Sequence, residues 1–324
     1  MHIALMLFSD SSQRMDEYSI QTVRSFNRTV AERIGALTDS FLGRDRPLGE
    51  SRTLWEVGLD GAEVRDLRAR LGLDSGYATR VLQSLQRRKL VSVETSRNDR
   101  RVRQVRLTRI GRAERAELDR RADQVAWNFL EPLDEAQRSR LVAAMKEVER
   151  LLTASMVQIT REDPTSADAV WCISQYFQEL KSRFDTGFDP SIGITAKAEE
   201  LVPPAGELLI ARLRDRPVGC GALKFHTGAP AELKRMWVAP QARGLGLGRR
   251  LLITLETHAR AAGARVIHLE TNNALREAIQ LYRSCGYREV APFNDEPYAH
   301  HWFAKRLTGS HGRTSIGSVG RQPE

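Results

Sequence analysis

Apolar residues in the first part of the chain recur three and four apart, which predicts helices. From Asp16 to Leu42 the positions Val23, Phe26, Val30, Ile34, Leu37 and Phe41 keep that spacing, so one long amphipathic helix is expected. Leu48 to Val57 predicts a shorter helix, broken at Asp60-Gly61, and Ala62 to Leu71 another with Val64, Leu67 and Leu71 on one face. Gly72 is placed to close it, and Asp74 and Ser75 offer N-cap oxygens to a helix from about Gly76 to Lys89. Two short helices joined by a tight glycine turn predict a helix-turn-helix. The period then shortens. Leu90 to Thr95 alternates, Ser96 to Arg100 reads as a turn, and Val102, Val105 and Leu107 continue a second strand, which together make a wing. Thr108 opens a helix over about 109–130, and a second follows over 134–153, lined by Leu141, Met145, Val148 and Leu152.

The pattern changes again at Met156. Residues 156–160 predict a strand, 161–166 a polar turn and 167–184 a helix. Residues 185–206 are loop-rich, with a short helix near 196–202. Strands at 207–214 and 218–225 form a hairpin around Asp215-Arg216-Pro217. Glu232 to Val238 is a strand stopped by Ala239-Pro240, because proline cannot continue a ladder. A glycine-rich turn and a helix ending at Gly263 follow, then strand 266–270, helix 274–285 and strands 287–290 and 299–306. The expected domains are a mostly α winged helix-turn-helix over 1–153 and an α/β domain over 154–307. Residues 1–13 are a loose leader, and the Gly/Ser-rich tail, 308–324, is expected to be disordered.

Composition changes the picture little, and the distribution of charge changes it more. The net charge is +9. Residues 97–112 carry seven arginines against the single acid Asp99, beside the predicted recognition helix, which favours phosphate contacts over a merely solvated hairpin. Cys172, Cys220 and Cys285 have neither metal-ligand nor disulfide spacing, which points to a reducing, cytoplasmic setting without a metal. The apolar run at residues 3–8 is too short to span a bilayer and lacks the flanks of a signal peptide, so no membrane role is expected.

Chemistry concentrates after Val238. A strand, a turn holding Gly244, Gly246 and Gly248, and then a helix aim free backbone N–H groups and a positive helix end at one point. A pyrophosphate fits there. The dinucleotide fingerprint and the P-loop are both absent. What fits is Q-x-x-G-x-G at Gln241, Gly244 and Gly246, which resembles the coenzyme A loop of the GNAT N-acetyltransferases. The run VIHLETNNALREAIQLYRSCGY at 266–287 looks like the strand and helix that follow it in that family.

The resemblance implies a central mixed, splayed sheet and acetyl-CoA as cosubstrate, with an amine as acceptor. It implies that the backbone of Trp237 and Val238 meets the pantetheine arm, with the Val238 N–H as oxyanion donor. The loop from Arg243 through Leu245 to Gly248, with Gln241, takes the pyrophosphate. Tyr282 stands at the family's general-acid position, against a plain packing role. Glu270 and Glu232 compete as general base, Glu270 being favoured. Leu275 stands where members with the Glu270 arrangement often carry a cofactor-binding asparagine. The acceptor is expected against the 185–206 and 291–298 loops, where Asp295 and Glu296 could attract a cationic amine.

The first domain is similar to the MarR regulators. The run from Leu71 to Gly111 carries the family's D-x-R at Asp99 and Arg101 and its L-T-x-x-G at Leu107, Thr108 and Gly111. That implies a homodimer reading a pseudopalindromic double-stranded operator. Ser75, Tyr77 and Arg80 would face the major groove, and Arg97, Arg100 and Arg101 would reach backbone and minor groove, although Tyr77 reads equally well as a packing residue. The expectation is a bifunctional regulator and acetyltransferase. Its rivals are a transcription factor that only senses acetyl-CoA, and a dimeric enzyme whose winged helix is vestigial.

Overall fold

The computed structural model describes residues 16–35, 41–95, 102–185 and 187–307. Two compact units divide the chain between Val142 and Ala143, ahead of residue 153, where the change of periodicity suggests a boundary. The expected leader and tail lie outside the described residues.

In the first unit, α1 (Glu17–Arg33) begins where Asp16 accepts the Ser19 N–H at 2.6 Å. It stops well short of Leu42. Gly35 takes a left-handed φ of 66°, residues 36–40 lie outside the described ones, and Phe41–Gly43 form a separate 3-10 turn that carries Phe41 into the core. Spacing continued across a point where the backbone turns left-handed, which periodicity cannot register. α2 (Leu48–Val57) ends at Gly58, φ 73°, before the expected break. Ala62 and Glu63, expected to be helical, form a short strand β1 (Ala62–Glu63), so α3 (Val64–Leu71) starts later.

Left-handed Gly72 ends α3, and the Asp74 carboxylate accepts the Tyr77 N–H at 2.9 Å to start α4 (Ser75–Arg87). β2 (Val91–Thr95) and β3 (Arg103–Leu107) pair antiparallel, and β1 pairs with the other edge of β3. The L-T-x-x-G run has a steric reason. Thr108 Oγ1 accepts the Gly111 N–H at 3.0 Å and donates to the Lys89 carbonyl at 2.7 Å, while a Cβ on Gly111 would lie 1.9 Å from the Leu90 carbonyl oxygen. α5 (Arg109–Leu130) follows, and its Leu118 is fully buried with Leu54, Leu85 and Val105. α6 (Glu135–Ser155) runs across the division at residues 142–143 and, like α1, buries none of its residues.

The second unit is built on one sheet. Its strands are β4 (Gln158–Glu162), β5 (Gly206–Leu213), β6 (Arg216–Lys224), β7 (Ala231–Val238), β8 (Val266–Thr271), β9 (Arg288–Val290) and β10 (His301–Arg306), in the order β4-β5-β6-β7-β8-β10-β9. Leu208 to Ala211 are consecutive and all buried, as in a strand covered on both faces. The β5–β6 turn is Arg214-Asp215, with φ of 51° and 61°, not the expected Asp215-Arg216-Pro217. A two-residue turn with both φ positive matches strand twist, so Arg216 and Pro217 join the strand instead. α7 (Ala167–Arg183), α8 (Leu247–Ala261) and α9 (Arg276–Ser284) complete the unit.

Two features of β7 shape the site. It runs parallel to β8, while the other recorded pairings are antiparallel, and it pairs there only through Ala231↔Ile267 and Glu232↔His268. Beyond Glu232 no pairing with β8 continues, and the sheet opens. β7 also bulges. Its register against β6 passes from Cys220↔Trp237 to Ala222↔Lys234, so Gly221 faces both Arg235 and Met236, and Arg235 takes φ 57°. A Cβ on Gly221 would lie 2.7 Å from both Leu255 Cδ1 and Met236 Sδ, so a larger residue would force those side chains to shift.

Candidate functional site

The opening between β7 and β8 leads into a cleft of about 560 Å³. One wall is the strand end. The Ala239 N–H donates to the Val218 carbonyl at 2.9 Å on the β6 side, so alternation turns the Val238 N–H into the opening. The floor is the glycine loop. Gly244 and Gly246 adopt φ of 79° and 73°, and a Cβ on either would meet nothing within 4 Å. Gly246 caps α8 without a side-chain partner, and the first helical bond runs from the Arg250 N–H to the Gly246 carbonyl at 3.1 Å. The N–H groups at the start of α8 therefore have no intrahelical acceptor and face the space left by the missing Cβ atoms of Gly244 and Gly246. A pyrophosphate fits this geometry on charge and shape.

Trp237, Val238, Arg243, Gly244, Gly246 and Gly248 line the cleft. Gln241 and Leu245 do not: Gln241 is exposed in a 3-10 turn, and Leu245 packs on the core. The Arg243 guanidinium folds back onto the Glu179 carboxylate at 2.5 Å and the Val238 carbonyl at 3.1 Å. Glu179 also accepts from Trp237 Nε1 at 2.9 Å, so one carboxylate from α7 fixes both side chains. Arg150, at the end of α6, donates to the Gly244 carbonyl at 2.5 Å.

Tyr282 projects from α9 into the cleft, almost wholly buried, and burial pushes its phenol pKa up. A second phenol, Tyr176 of α7, lines this cleft and the cavity behind it, and burial raises its pKa as well. Tyr176 escapes a sequence reading, because any of the aromatics among the helical apolar positions 169–184 looks like core.

The cavity behind holds about 90 Å³ and is walled by Phe177, Phe184, Phe188 and Tyr298. Phe188 stacks on Phe177 at 5.5 Å and approaches Tyr298 at 5.0 Å. Glu270 and Lys234 also line it. Lys234 Nζ makes a very short ion pair with Glu270 and reaches Glu232 at 3.1 Å, and Glu232 in turn meets His226 at 2.8 Å. Both glutamates that compete as base therefore share one lysine. Although burial opposes each shift, these ion pairs hold the Lys234 pKa above its usual value and the Glu232 carboxyl below its own. Glu232 lines neither the cleft nor this cavity, and it sits where β7 and β8 are still paired. Glu270 lines the cavity, and its Oε2 is buried without a hydrogen-bond partner.

Asp295 is exposed, and Glu296 lines the small cavity with its carboxylate already engaged. Glu296 Oε2 accepts the Ile194 N–H at 2.5 Å and its Oε1 the Tyr298 N–H at 3.2 Å, so that carboxylate pins the loop. Leu275 lines both spaces as an apolar wall. His268 stacks on Phe293 at 4.4 Å and lines neither. Among the described residues no group of metal-ligating side chains is assembled, and no helix is long and apolar enough to cross a membrane.

In the first unit, Ser75, Tyr77 and Arg80 are all exposed on the N-terminal half of α4. Arg80 lies over the Tyr77 ring at 5.8 Å. A Cβ on Gly49 would lie 2.5 Å from the Tyr77 hydroxyl, so Tyr77 both packs on α2 and shows a ring face. Arg97, Arg100 and Arg101 lie outside the described residues.

The profile of the acetyltransferase (GNAT) family matches residues 173–287, and that of the MarR family residues 44–102. The chain is 38% identical over 143 residues to the IAA acetyltransferase of Azospirillum brasilense, covering 44% of this chain and 90% of that protein. It is 32% identical over 142 residues to the N-alpha-acetyltransferase RimI of Mycobacterium tuberculosis, covering 43% of this chain and 84% of that one. Among solved structures, an acetyltransferase of the GNAT family from Staphylococcus aureus aligns at 18% identity and a TM-score of 0.41, over 47% of this chain and 99% of that chain.

Proposed function

This chain belongs to the GNAT acetyltransferase family and carries a MarR-family domain ahead of it, and on that premise we propose that it joins operator binding to acetyl-CoA-dependent acetylation of an amine in the cytoplasm. One observation carries the catalytic half. The unpaired end of β7, the left-handed glycines before α8 and the buried phenol of Tyr282 all face one cleft, which shares the walls Tyr176, Leu180 and Leu275 with a second cavity.

Acetyl-CoA, when bound, supplies an acetyl group activated as a thioester. The N–H groups at the start of α8 hold its pyrophosphate, with Gly244 and Gly246 allowing the close approach. The Val238 N–H stabilises the carbonyl oxygen as charge develops on it. Glu270 Oε2 accepts a proton from the incoming ammonium, while Lys234 fixes the carboxylate through its other oxygen. Tyr282 supplies a proton to the departing thiolate. The phenol is protonated at neutral pH, as a general acid must be, and burial, which pushes its pKa up, does not change that.

The regulatory half rests on Ser75, Tyr77 and Arg80, exposed on a helix capped at both ends, and on the arginine-dense run 97–112 that follows in the sequence. The apolar side chains Tyr18, Val23, Phe26, Trp127 and Met145 are exposed on α1, α5 and α6, which suits pairing with a second copy. That dimer would read the two halves of a pseudopalindrome. Thiol release from acetyl-CoA over a panel of amines tests the enzyme, and salt-titrated DNA binding tests the regulator. Acetyl-CoA binding without turnover of any amine would leave a sensor. Turnover without DNA binding would leave a winged helix that serves dimerisation alone.

A further inference from the structure

The proposed activity leaves the acceptor undefined, and the small cavity behind the cleft defines it further. Most polar groups around that cavity are already engaged. Glu296 pins the 193–194 backbone, Tyr298 Oη accepts the Asp189 N–H at 3.0 Å, and Asn272 bridges the Ala274 N–H and the Tyr298 carbonyl at 2.9 and 2.8 Å. Among the polar side chains lining it, two carry buried atoms without a hydrogen-bond partner: Arg235, through Nε and Nη1, and Glu270, through Oε2. They are opposite charges in one cavity.

Arg235 is held there by the backbone. It occupies the bulge of β7 at φ 57°, its Nη2 donates to the Ala196 carbonyl at 2.6 Å, and its guanidinium lies 4.5 Å over the Phe177 ring. No carboxylate pairs with it among the described residues, in contrast to Lys234, which has two. Nε and Nη1 lie on different edges of the guanidinium, and a ligand carboxylate can accept a charge-assisted hydrogen bond from either of them. The remaining wall is aromatic and apolar, through Phe177, Leu180, Phe184 and Phe188. A structural role for Arg235 is met by the Ala196 bond alone, and it leaves Nε and Nη1 unexplained.

We propose that the acceptor is a free α-amino acid with an apolar side chain. Its carboxylate pairs with Arg235, its ammonium with Glu270 Oε2, and its side chain lies against the phenylalanines. A zwitterion satisfies both orphaned groups at once, which neither a simple amine nor a peptide N-terminus does. The amine binds protonated and gives up one proton before its nitrogen forms the new C–N bond. A second proton leaves it as the C–S bond breaks, and the thiolate takes one proton in exchange. The proposal rests on the acetyltransferase reading, and binding measurements keep the two separable.

The test uses the full chain loaded with coenzyme A, titrated calorimetrically with L-phenylalanine, L-phenylalanine amide and 2-phenylethylamine, the last two lacking the carboxylate. L-Phenylalanine should bind about 10- to 150-fold more tightly than either, the range expected for hydrogen bonds to a charged group. Arg235→Gln should erase that preference, and Arg235→Lys should restore part of it. Equal affinities of the parent for all three ligands, or no binding of L-phenylalanine, would overturn the proposal without any variant, so a misfolded Arg235→Gln cannot shield it. Selective binding with no acetyl transfer would support this site while refuting the catalytic reading. Transfer to all three ligands with equal kcat/KM would do the reverse.

Discussion

Gly246→Val tests the cofactor cleft most sharply, because two effects of the substitution can be told apart. Gly246 has φ 73°, and a Cβ there would point into space with no protein atom within 4 Å. In the empty protein the only cost is the backbone, about 1–2 kcal/mol for a side chain in left-handed conformation. That should lower the melting temperature by a few degrees, about 2–8 °C for a domain of this size. In the bound protein the valine occupies the place of the pyrophosphate. Losing two charge-assisted backbone hydrogen bonds at about 1.5–3 kcal/mol each weakens acetyl-CoA binding by roughly 10²- to 10⁴-fold. Gly263→Val is the control. Gly263 has φ 88°, is equally open, follows the other end of α8 and lies outside the cleft. It should show a comparable loss of stability and no change in the calorimetric dissociation constant. If Gly246→Val binds acetyl-CoA within twofold of the parent, or Gly263→Val weakens binding as much, the cleft is not the pyrophosphate site.

Tyr282→Phe should lower kcat by about 10²- to 10⁴-fold with little change in coenzyme affinity, and steady-state kinetics with separate binding titrations would show whether it does. Glu270→Gln should lower kcat by a similar factor, whereas Glu232→Gln should do less, and equal near-parental rates for both would mean no carboxylate base operates. Glu232→Gln should act on stability instead, by about 1 kcal/mol at pH 7. Because the folded carboxyl lies below its ordinary value of 4.5, that contribution is complete above about pH 4.5 and fades as pH falls through the folded value. Urea midpoints of parent and variant should therefore converge between pH 7 and pH 3, and a constant gap would count against the ion pair. Arg101→Ala should reduce the salt slope of DNA binding by about one counterion, and Arg80→Ala should cost about 1–3 kcal/mol on the preferred sequence only; unchanged binding of both variants would remove the winged helix as reader.

The sequence alone determines much of the architecture, for local reasons. The caps at Asp74 and Thr108, the left-handed Gly72 and the glycine turn before α8 are interactions within a few residues, and each occurs where spacing and residue type predict. The approach of Gly111 to the Leu90 carbonyl is non-local, yet a short motif carries it, because only glycine fits. Boundaries that hang on a single backbone angle were not legible: Gly35 ends α1 under unbroken periodicity, and the Arg214-Asp215 turn displaces a more obvious proline turn. The glycine loop was readable as an anion cradle, but its neighbours Gln241 and Leu245 were not separable from it, since facing the cleft or the core depends on the turn's path. The pairing of the charges around the small cavity was decided only by tertiary structure. Strand β7 offers Glu232, Lys234 and Arg235 almost consecutively, and nothing in that order says which is paired. Where β7 parts from β8, and where it bulges, settles that Lys234 bridges two glutamates while Arg235 turns into an aromatic pocket with no carboxylate partner among the described residues. Burial and pairing are properties of what several distant segments bring together, and a single segment's sequence does not contain them.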